Sequence, residues 1–383
     1  MAGITLSVED ASFSFSDGQI TSLPNINASF GRILLVKGVI GSGKTLLLKA
    51  LANIYQPKTG KLALLDAAGE KLPSCFINSQ PEFNFITNSV KDELDLVGAD
   101  KTPFAEYVGR GINELSGGEQ KKLAVRIAMQ LPNTSVLLLD EPLDMVDDVE
   151  SELLASYIYE VSKNKPVIIA THDKHFDKMA DEIITLGDTP QTNPILPARQ
   201  RRCITELALV SLAPIALSVG NGELVCIYGR NGSGKTLFVK GIAGIGIRGY
   251  KSSHEWFVPR GERGFCLQFP EQMAFHNTIT EEIADWTGIN RASEVLDMLG
   301  WQGRGNVSPF ALSDGERRIM FMFAMLAAKH VCVFDEPFAG FDAHSRAVVA
   351  SRFYDFCNAG DSILYTANRR ADTFYANKII ELK

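Results

Sequence analysis

Two octapeptides in this chain have the residue types and spacing of a phosphate receptor. Gly38-Val39-Ile40-Gly41-Ser42-Gly43-Lys44-Thr45 and Gly229-Arg230-Asn231-Gly232-Ser233-Gly234-Lys235-Thr236 both read G-x-x-x-x-G-K-T. Glycines let a backbone curl so that successive N–H groups face one anion, and the helix that follows adds its partial positive charge. Ser42, Asn231 and Ser233 complete the loops. Lys44 and Lys235 reach toward outer phosphates, and the Thr45 and Thr236 hydroxyls are placed to hold Mg²⁺. By average residue usage one such match arises by chance in roughly one chain in a hundred, so two matches in one chain are no accident. Adjacent carboxylates supply the next part of the chemistry: Asp140-Glu141-Pro142 and Asp335-Glu336-Pro337 each close an apolar run. Beside a phosphate loop, Asp140 or Asp335 orients the metal and its waters. Glu141 or Glu336 is then the candidate general base for an attacking water. Read alone, the same letters describe a capped strand-to-turn junction.

A third pair, Leu115-Ser116-Gly117-Gly118-Glu119 and Leu312-Ser313-Asp314-Gly315-Glu316, opens helices. Ser-Gly-Gly at a helix start is an anion receptor; an ordinary N-cap with a glutamate nearby is the alternative. Asp314 departs from the pattern. A carboxylate there repels phosphate by about 4 kcal/mol for unit charges 4 Å apart at an effective dielectric of about 20, unless its side chain turns away. The retained Ser313 and Gly315 favour turning away.

The elements that carry these residues occur twice. Ile33-Leu34-Leu35-Val36 reads as a buried strand before the first loop, and Leu46 to Leu51 as the helix after it. Leu137-Leu138-Leu139 and Val331-Cys332-Val333-Phe334 are buried strands that deliver Asp140 and Asp335 to the carboxyl edge of a sheet, where ligands of such folds bind. Strands ending at loops or carboxylates, with helices following, predict an α/β fold with a mostly parallel sheet flanked by helices, built twice by tandem duplication. Residues 1–187 form the first expected domain and 203–383 the second. The segment 188–202 between them, rich in Pro, Thr, Asn and Gln and ending in Arg199-Gln200-Arg201-Arg202, is the expected linker.

With 383 residues, 45% apolar and 22% charged, the chain can bury two substantial cores. A net charge of -7 and a pI near 5.5 disfavour broad nucleic-acid binding. The most apolar stretch, Leu207 to Leu217, contains a proline and is about half a membrane span, so a soluble or peripheral protein is expected. No basic-then-apolar leader opens the sequence, so no secretory signal is expected. The six cysteines (Cys75, Cys203, Cys226, Cys266, Cys332, Cys357) are scattered without a C-x-x-C pair and read as reduced core residues.

Phosphate loop, glutamine, LSGGE, apolar strand with Asp-Glu-Pro, and Thr171-His172-Asp173, in that order, resemble the ATP-binding-cassette (ABC) ATPases over nearly the whole of both halves. The resemblance implies two P-loop NTPase domains, each with a small helical subdomain, that bind ATP and Mg²⁺. It implies that the cassettes pack head to tail, so each phosphate loop meets the other cassette's serine-glycine helix start across sandwiched ATP; with both cassettes on one chain, that sandwich could form within one molecule or between two. It assigns Gln80 and Gln268 to sensing Mg²⁺ and the attacking water, where a polar strand end is the alternative. Asp147 and Asp342 match the loop that crosses to the opposite site, where a turn-forming aspartate is the alternative. Phe15 matches an aromatic that stacks on adenine; Phe13 and Phe15 share one strand face, so a core role is open for one of them. His172 matches a histidine that contacts the γ-phosphate. In the second half Ala367 is read as taking the histidine position, with Asn368 pointing elsewhere, and no aromatic matches Phe15. The departures therefore fall on both sites, and the first is expected to carry most turnover.

Gln80-Pro81-Glu82 leading to Ser89-Val90-Lys91-Asp92-Glu93-Leu94, and Gln268-Phe269-Pro270-Glu271 leading to Thr278-Ile279-Thr280-Glu281-Glu282-Ile283, look like the energy-coupling-factor branch of vitamin and metal importers. That resemblance implies integral membrane subunits whose coupling helices dock near Gln80–Leu94 and Gln268–Ile283, with the ATPase peripheral on the cytoplasmic membrane face and no nucleic-acid partner. A generic helical-subdomain surface is the alternative, and both stretches between glutamine and signature serine are shorter than the family usually shows. The rival class is a soluble tandem switch linked to ribosomes or nucleic acid. Its types carry a long charged insert between cassettes, an N-terminal cysteine cluster or zinc-binding cysteines, none of which this sequence shows.

Overall fold

The computed structural model describes residues 3–14, 20–187, 206–212, 215–245, 253–256, 259–267 and 274–382. The chain divides into two compact units, Met1–Thr189 and Pro190–Lys383. The expected linker 188–202 lies outside the described residues, as do Phe15, Cys203 and Gln268.

In the first unit the strands are β1 (Ile4–Ser14), β2 (Ile20–Ser22), β3 (Ile26–Phe30), β4 (Ile33–Gly38), β5 (Thr59–Leu65), β6 (Ser74–Ile77), β7 (Val136–Asp140), β8 (Val167–Ala170) and β9 (Glu182–Leu186). The helices are α1 (Lys44–Leu51), α2 (Val90–Val97), α3 (Gly117–Gln130) and α4 (Asp148–Ser162). Five strands make a parallel sheet in the order β6-β7-β8-β4-β9. Its central strands are buried on both faces, which is why they read as unbroken apolar runs. Leu34, Val36, Leu138 and Ile168 pack toward α1, whereas Ile33, Leu35, Leu139 and Ile169 pack toward α3 and α4. A separate antiparallel sheet, β2-β1-β3 with β5 also on β1, closes the first of these cores. Reading strands only where they end in loops or carboxylates does not anticipate that sheet. The small helical subdomain has its own core, built from Val90, Leu94, Phe104, Tyr107, Leu123 and Ile127.

The second unit repeats the plan. Its strands are β10 (Glu206–Leu212), β11 (Ile215–Gly220), β12 (Leu224–Gly229), β13 (Ser253–Trp256), β14 (Arg263–Cys266), β15 (Val331–Phe334), β16 (Ser362–Ala367) and β17 (Lys378–Leu382). Its helices are α5 (Lys235–Ile242), α6 (Ile279–Thr287), α7 (Ile289–Leu299), α8 (Asp314–Ala328) and α9 (Ala343–Asn358). The parallel sheet runs β14-β15-β16-β12-β17, and the antiparallel one β11-β10-β13. Its core is more aromatic: Phe334 stacks on Phe353 at 5.1 Å, and Phe338 meets Tyr365 edge-on at 5.5 Å. Among the described cysteines all are free, and Cys226, Cys266, Cys332 and Cys357 are buried. Burial pushes the Cys226 thiol up to about 12, which makes it an inert core residue.

Candidate functional site

In each unit the phosphate loop leaves the fourth strand of the parallel sheet, β4 or β12, and enters a helix. Gly38, Gly41 and Gly43 have φ of 154°, 80° and 93°, values that admit little but glycine. At Gly38 the packing is as strict as the dihedral, because a Cβ would lie 2.4 Å from both the Leu186 carbonyl oxygen and Ser42 Oγ. Lys44 Nζ donates to the carbonyls of Gly38 (2.7 Å) and Val39 (3.2 Å), and Lys235 Nζ to those of Gly229 (2.8 Å) and Arg230 (3.0 Å). Both ammonium groups are thus held over their own loops.

The carboxylates arrive where the strand order requires. Thr45 Oγ1 donates to Asp140 Oδ2 at 2.8 Å, and Thr236 Oγ1 to Asp335 Oδ2 at 2.8 Å. Asp140 is buried at the end of β7, and burial, then the neighbouring Glu141 charge, push its carboxyl up to about 7 against the pull of Thr45 and Lys44. Burial acts on Glu141 too, but His172, Lys44 and Thr171 outweigh it and hold this carboxyl below its ordinary value. His172 Nδ1 lies 3.0 Å from Glu141 Oε2, near enough for charge attraction but outside hydrogen-bond geometry; the bond to that oxygen comes from the His172 backbone N–H at 3.3 Å. Glu141 and Glu336 both have left-handed backbones, with φ of 42° and 50°. Such conformations in non-glycine residues cluster at functional sites.

The second site is wired differently. Thr366 Oγ1 donates to Asp335 Oδ1 at 2.6 Å and accepts the Glu336 N–H at 2.9 Å, so both Asp335 oxygens are engaged. Glu336 Oε1 lies 3.6 Å from Lys235 Nζ. Strand register also corrects the reading of Ala367. Val36 pairs with Ala170 and its counterpart Ile227 with Thr366, so Thr366 stands where the first unit has Ala170, and Asn368 where it has His172. Asn368 is buried and its Nδ2 approaches Asn231 Oδ1 of the phosphate loop at 3.4 Å. The extended-strand argument failed because it began one residue out of step, and one residue turns every side chain to the other face. The ungapped match from Thr171–Leu186 to Ala367–Leu382, ending in Ile-Ile-x-Leu in both copies, is the signal that fixes the register.

The remaining candidates occupy helix starts. Ser116 and Ser313 are N-caps of α3 and α8, accepting the Glu119 and Glu316 N–H at 3.2 and 3.3 Å in reciprocal capping boxes. Asp314 turns its carboxylate aside onto the Arg317 guanidinium at 2.5 Å. Asp147 and Asp342 cap α4 and α9 through Glu150 N–H (2.9 Å) and Ser345 N–H (2.8 Å). Gln80 is buried at the N-cap of a short 3₁₀ turn, Pro81–Asn84. Phe13 is a buried member of the core under β1. No hydrogen bond or ion pair among the described residues joins Ser116, Gly117 or Gly118 to the loop of their own unit.

Ser42 Oγ, Asp140 Oδ1 and both ring nitrogens of His172 are buried around the first loop without a hydrogen-bond partner among the described residues, as is Ser233 Oγ in the second. Buried polar atoms are almost always paired, so this cluster is suited to a polar ligand. Hydroxyl, carboxylate and ammonium donors of this kind fit a Mg²⁺–nucleotide.

The family profile described as ABC transporter matches residues 24–144 and 212–339. A protein of Methanosarcina mazei, named as an ABC transporter ATP-binding protein, is 24% identical over 88% of this chain and 85% of its own length. The energy-coupling factor transporter ATP-binding protein EcfA2 of Bacillus subtilis is 27% identical over 46% of this chain and 73% of its own. Among solved structures, the RNase-L inhibitor has a TM-score of 0.57 at 18% identity, covering 96% of this chain and 86% of that one. A chain of the ribosome-bound archaeal Pelota and ABCE1 assembly has a TM-score of 0.70 at 18% identity, covering 97% of this chain and 76% of that one. At such identity the structural likeness shows the fold alone. With the profile matching once in each unit over well more than half the sequence, the chain belongs to the ABC transporter family as a tandem pair of ATP-binding cassettes.

Proposed function

We propose that the chain hydrolyses ATP for an importer of the energy-coupling-factor type, working on the cytoplasmic membrane face through separate integral membrane subunits. The observation that carries this reading occurs in both cassettes. Glu93, on α2, is buried and accepts the backbone N–H groups of Ile86 (3.0 Å) and Thr87 (2.8 Å); Glu282, on α6, accepts those of Phe275 (2.9 Å) and His276 (2.8 Å). Each clasp presents an apolar side chain to the outside, Ile86 at 83% exposure and Phe275 at 81%. A groove of about 530 Å³ beside Ile86 is lined by Ile54, Phe76, Phe83, Ala124 and Leu131. Exposed apolar anchors beside a groove suit an amphipathic helix. The likeness to EcfA2 supports the same branch. No helix among the described residues is long and apolar enough to cross a membrane, so the pathway would belong to partner subunits.

For the chemistry, Ser42, Lys44, Thr45, Gln80 and Asp140 would hold Mg²⁺–ATP in the first site, and Ser233, Lys235, Thr236, Gln268 and Asp335 in the second. Bound Mg²⁺ supplies charge neutralisation at the phosphates. Glu141 accepts the proton of the attacking water, with His172 beside it, and Glu336 is its counterpart. By the family resemblance, Ser116–Gly118 and Ser313–Gly315 would each cover the nucleotide of the opposite cassette, with Asp147 and Asp342 nearby and Phe15 on adenine. The first site carries most turnover. Purification of the native complex from detergent-solubilised membranes is the test. A co-purifying integral membrane protein, lost in an I86D/F275D variant, is the expected result; ribosomes or RNA in its place would overturn the reading.

A further inference from the structure

We propose that Lys121 in the first cassette, and Arg318 at the equivalent place in the second, are positioning residues that hold the backbone of the candidate base from within the same unit. The inference rests on the assignment of Glu141 as base under the proposed function. Glu141 and Met145 both have left-handed φ, 42° and 59°. The segment between them is a tight turn, closed by the Asp144 N–H on the Glu141 carbonyl at 3.1 Å and tied to β8 by the Glu141 N–H on the Ala170 carbonyl at 2.8 Å. Non-glycine residues keep such a backbone only where their surroundings over-determine it.

Lys121 completes that determination. It is 2% exposed, lies five residues beyond Ser116 on α3, and donates from Nζ to the carbonyls of Glu141 (3.1 Å) and Asp144. Two carbonyls of one turn converge on a single buried ammonium, whose three donors suit such a cluster. The second cassette repeats the arrangement with different chemistry. Arg318, 5% exposed and five residues beyond Ser313, donates to the carbonyl of Ala339, which follows Glu336 by the same three residues as Asp144 follows Glu141. Its guanidinium lies over the Phe341 ring at 6.0 Å. A long buried cation aimed at one carbonyl is preserved between the copies although its identity is not. An apolar residue of similar length would fill the space and leave the carbonyls unbound.

Because the carbonyls that Lys121 holds belong to the turn of the candidate base, its loss should act on the chemical step rather than on binding. The full chain carrying K121M, K121R, K121Q or E141Q is assayed for ATPase over a range of ATP concentrations, with a thermal melt of each. K121M is expected to lower kcat by about tenfold or more with KM for ATP within about twofold, and K121R to recover most of the loss. If K121M does not fold, K121Q, which keeps a shorter donor, takes its place with the same expectation. Unchanged kcat, kcat and KM shifting together, or K121R no better than the neutral variants would each overturn the proposal. An E141Q variant that turns over at the wild-type rate overturns the base assignment beneath it, whereas a severely slowed E141Q beside fully active K121M overturns this inference alone.

Discussion

Asp314 puts a negative charge at a helix start proposed to cover ATP, and the structure shows how it is managed: Arg317 Nη2 lies 2.5 Å from Asp314 Oδ1. Substituting Arg317 by alanine removes that counter-charge. Unit charges 4 Å apart repel by about 4 kcal/mol at an effective dielectric of 20 and about 1 kcal/mol in water. The Asp314 side chain is 47% exposed, so the lower half of that range applies, and about 1–2 kcal/mol corresponds to roughly a five- to thirtyfold loss of ATP affinity. The assay is equilibrium binding of a fluorescent ATP analogue to wild type, R317A, D314G and the double variant, at two salt concentrations. R317A should bind weakly, the double variant should return close to wild type, and added salt should shrink the defect. If the double variant binds as weakly as R317A, the loss comes from the packing of Arg317 and the electrostatic reasoning is wrong.

Three further outcomes are expected. E141Q should lower the steady-state ATPase rate much more than E336Q, and equal losses would remove the proposed asymmetry. G38A should lower the melting temperature and abolish nucleotide binding at the first site, because its Cβ has no room; G117A, with nothing within 4 Å of the added Cβ in its own unit, should melt like wild type yet lose the slower turnover of the second site, read in an E141Q background. Asp181 opposes burial with three backbone bonds from Gly31, Arg32 and Ile33 that hold its carboxyl below 3.8. Its stabilisation is therefore present above the unfolded value and fades as pH falls through the folded one, so D181N should destabilise at pH 7, and its deficit should shrink as pH falls below the ordinary carboxylate range in denaturant titrations.

Both phosphate loops were legible because their glycines answer to backbone geometry, and geometry leaves a fixed spacing in the sequence. The strands carrying Asp140 and Asp335 were legible as unbroken apolar runs, since a parallel sheet covered on both faces needs them. The antiparallel sheets were less so: β1 and β3 bear alternating patterns that say which side is buried but not which strand they meet. Asn368 was missed because one-residue register has no local signature where β16 is buried at every position from Ser362 to Ala367. The fate of Asp314 was half legible, as Arg317 one turn later is a partner the sequence offers. Lys121 left no trace at all, because a lysine on an amphipathic helix reads as solvated surface until the turn above it is built.

The two sites differ less in what they contain than in what their carboxylates lean on. In the first, Glu141 faces His172, and Asp140 keeps one buried oxygen without a partner among the described residues, with its carboxyl poised at about 7. In the second, Thr366 takes the corresponding oxygen of Asp335 while also bonding the Glu336 backbone, and Glu336 turns toward Lys235. An acid already satisfied by hydroxyls must exchange those bonds to serve a ligand, and a base engaged by the loop lysine must give up that contact to meet water. The extra Asp335 and Glu336 bonds trace to Thr366, which stands where the first unit has Ala170, and the absent histidine to Asn368, which stands where it has His172. The proposed asymmetry is thus attributed to the edge of β16 rather than to the altered Ser313-Asp314-Gly315 helix start, where Arg317 pairs with the aspartate.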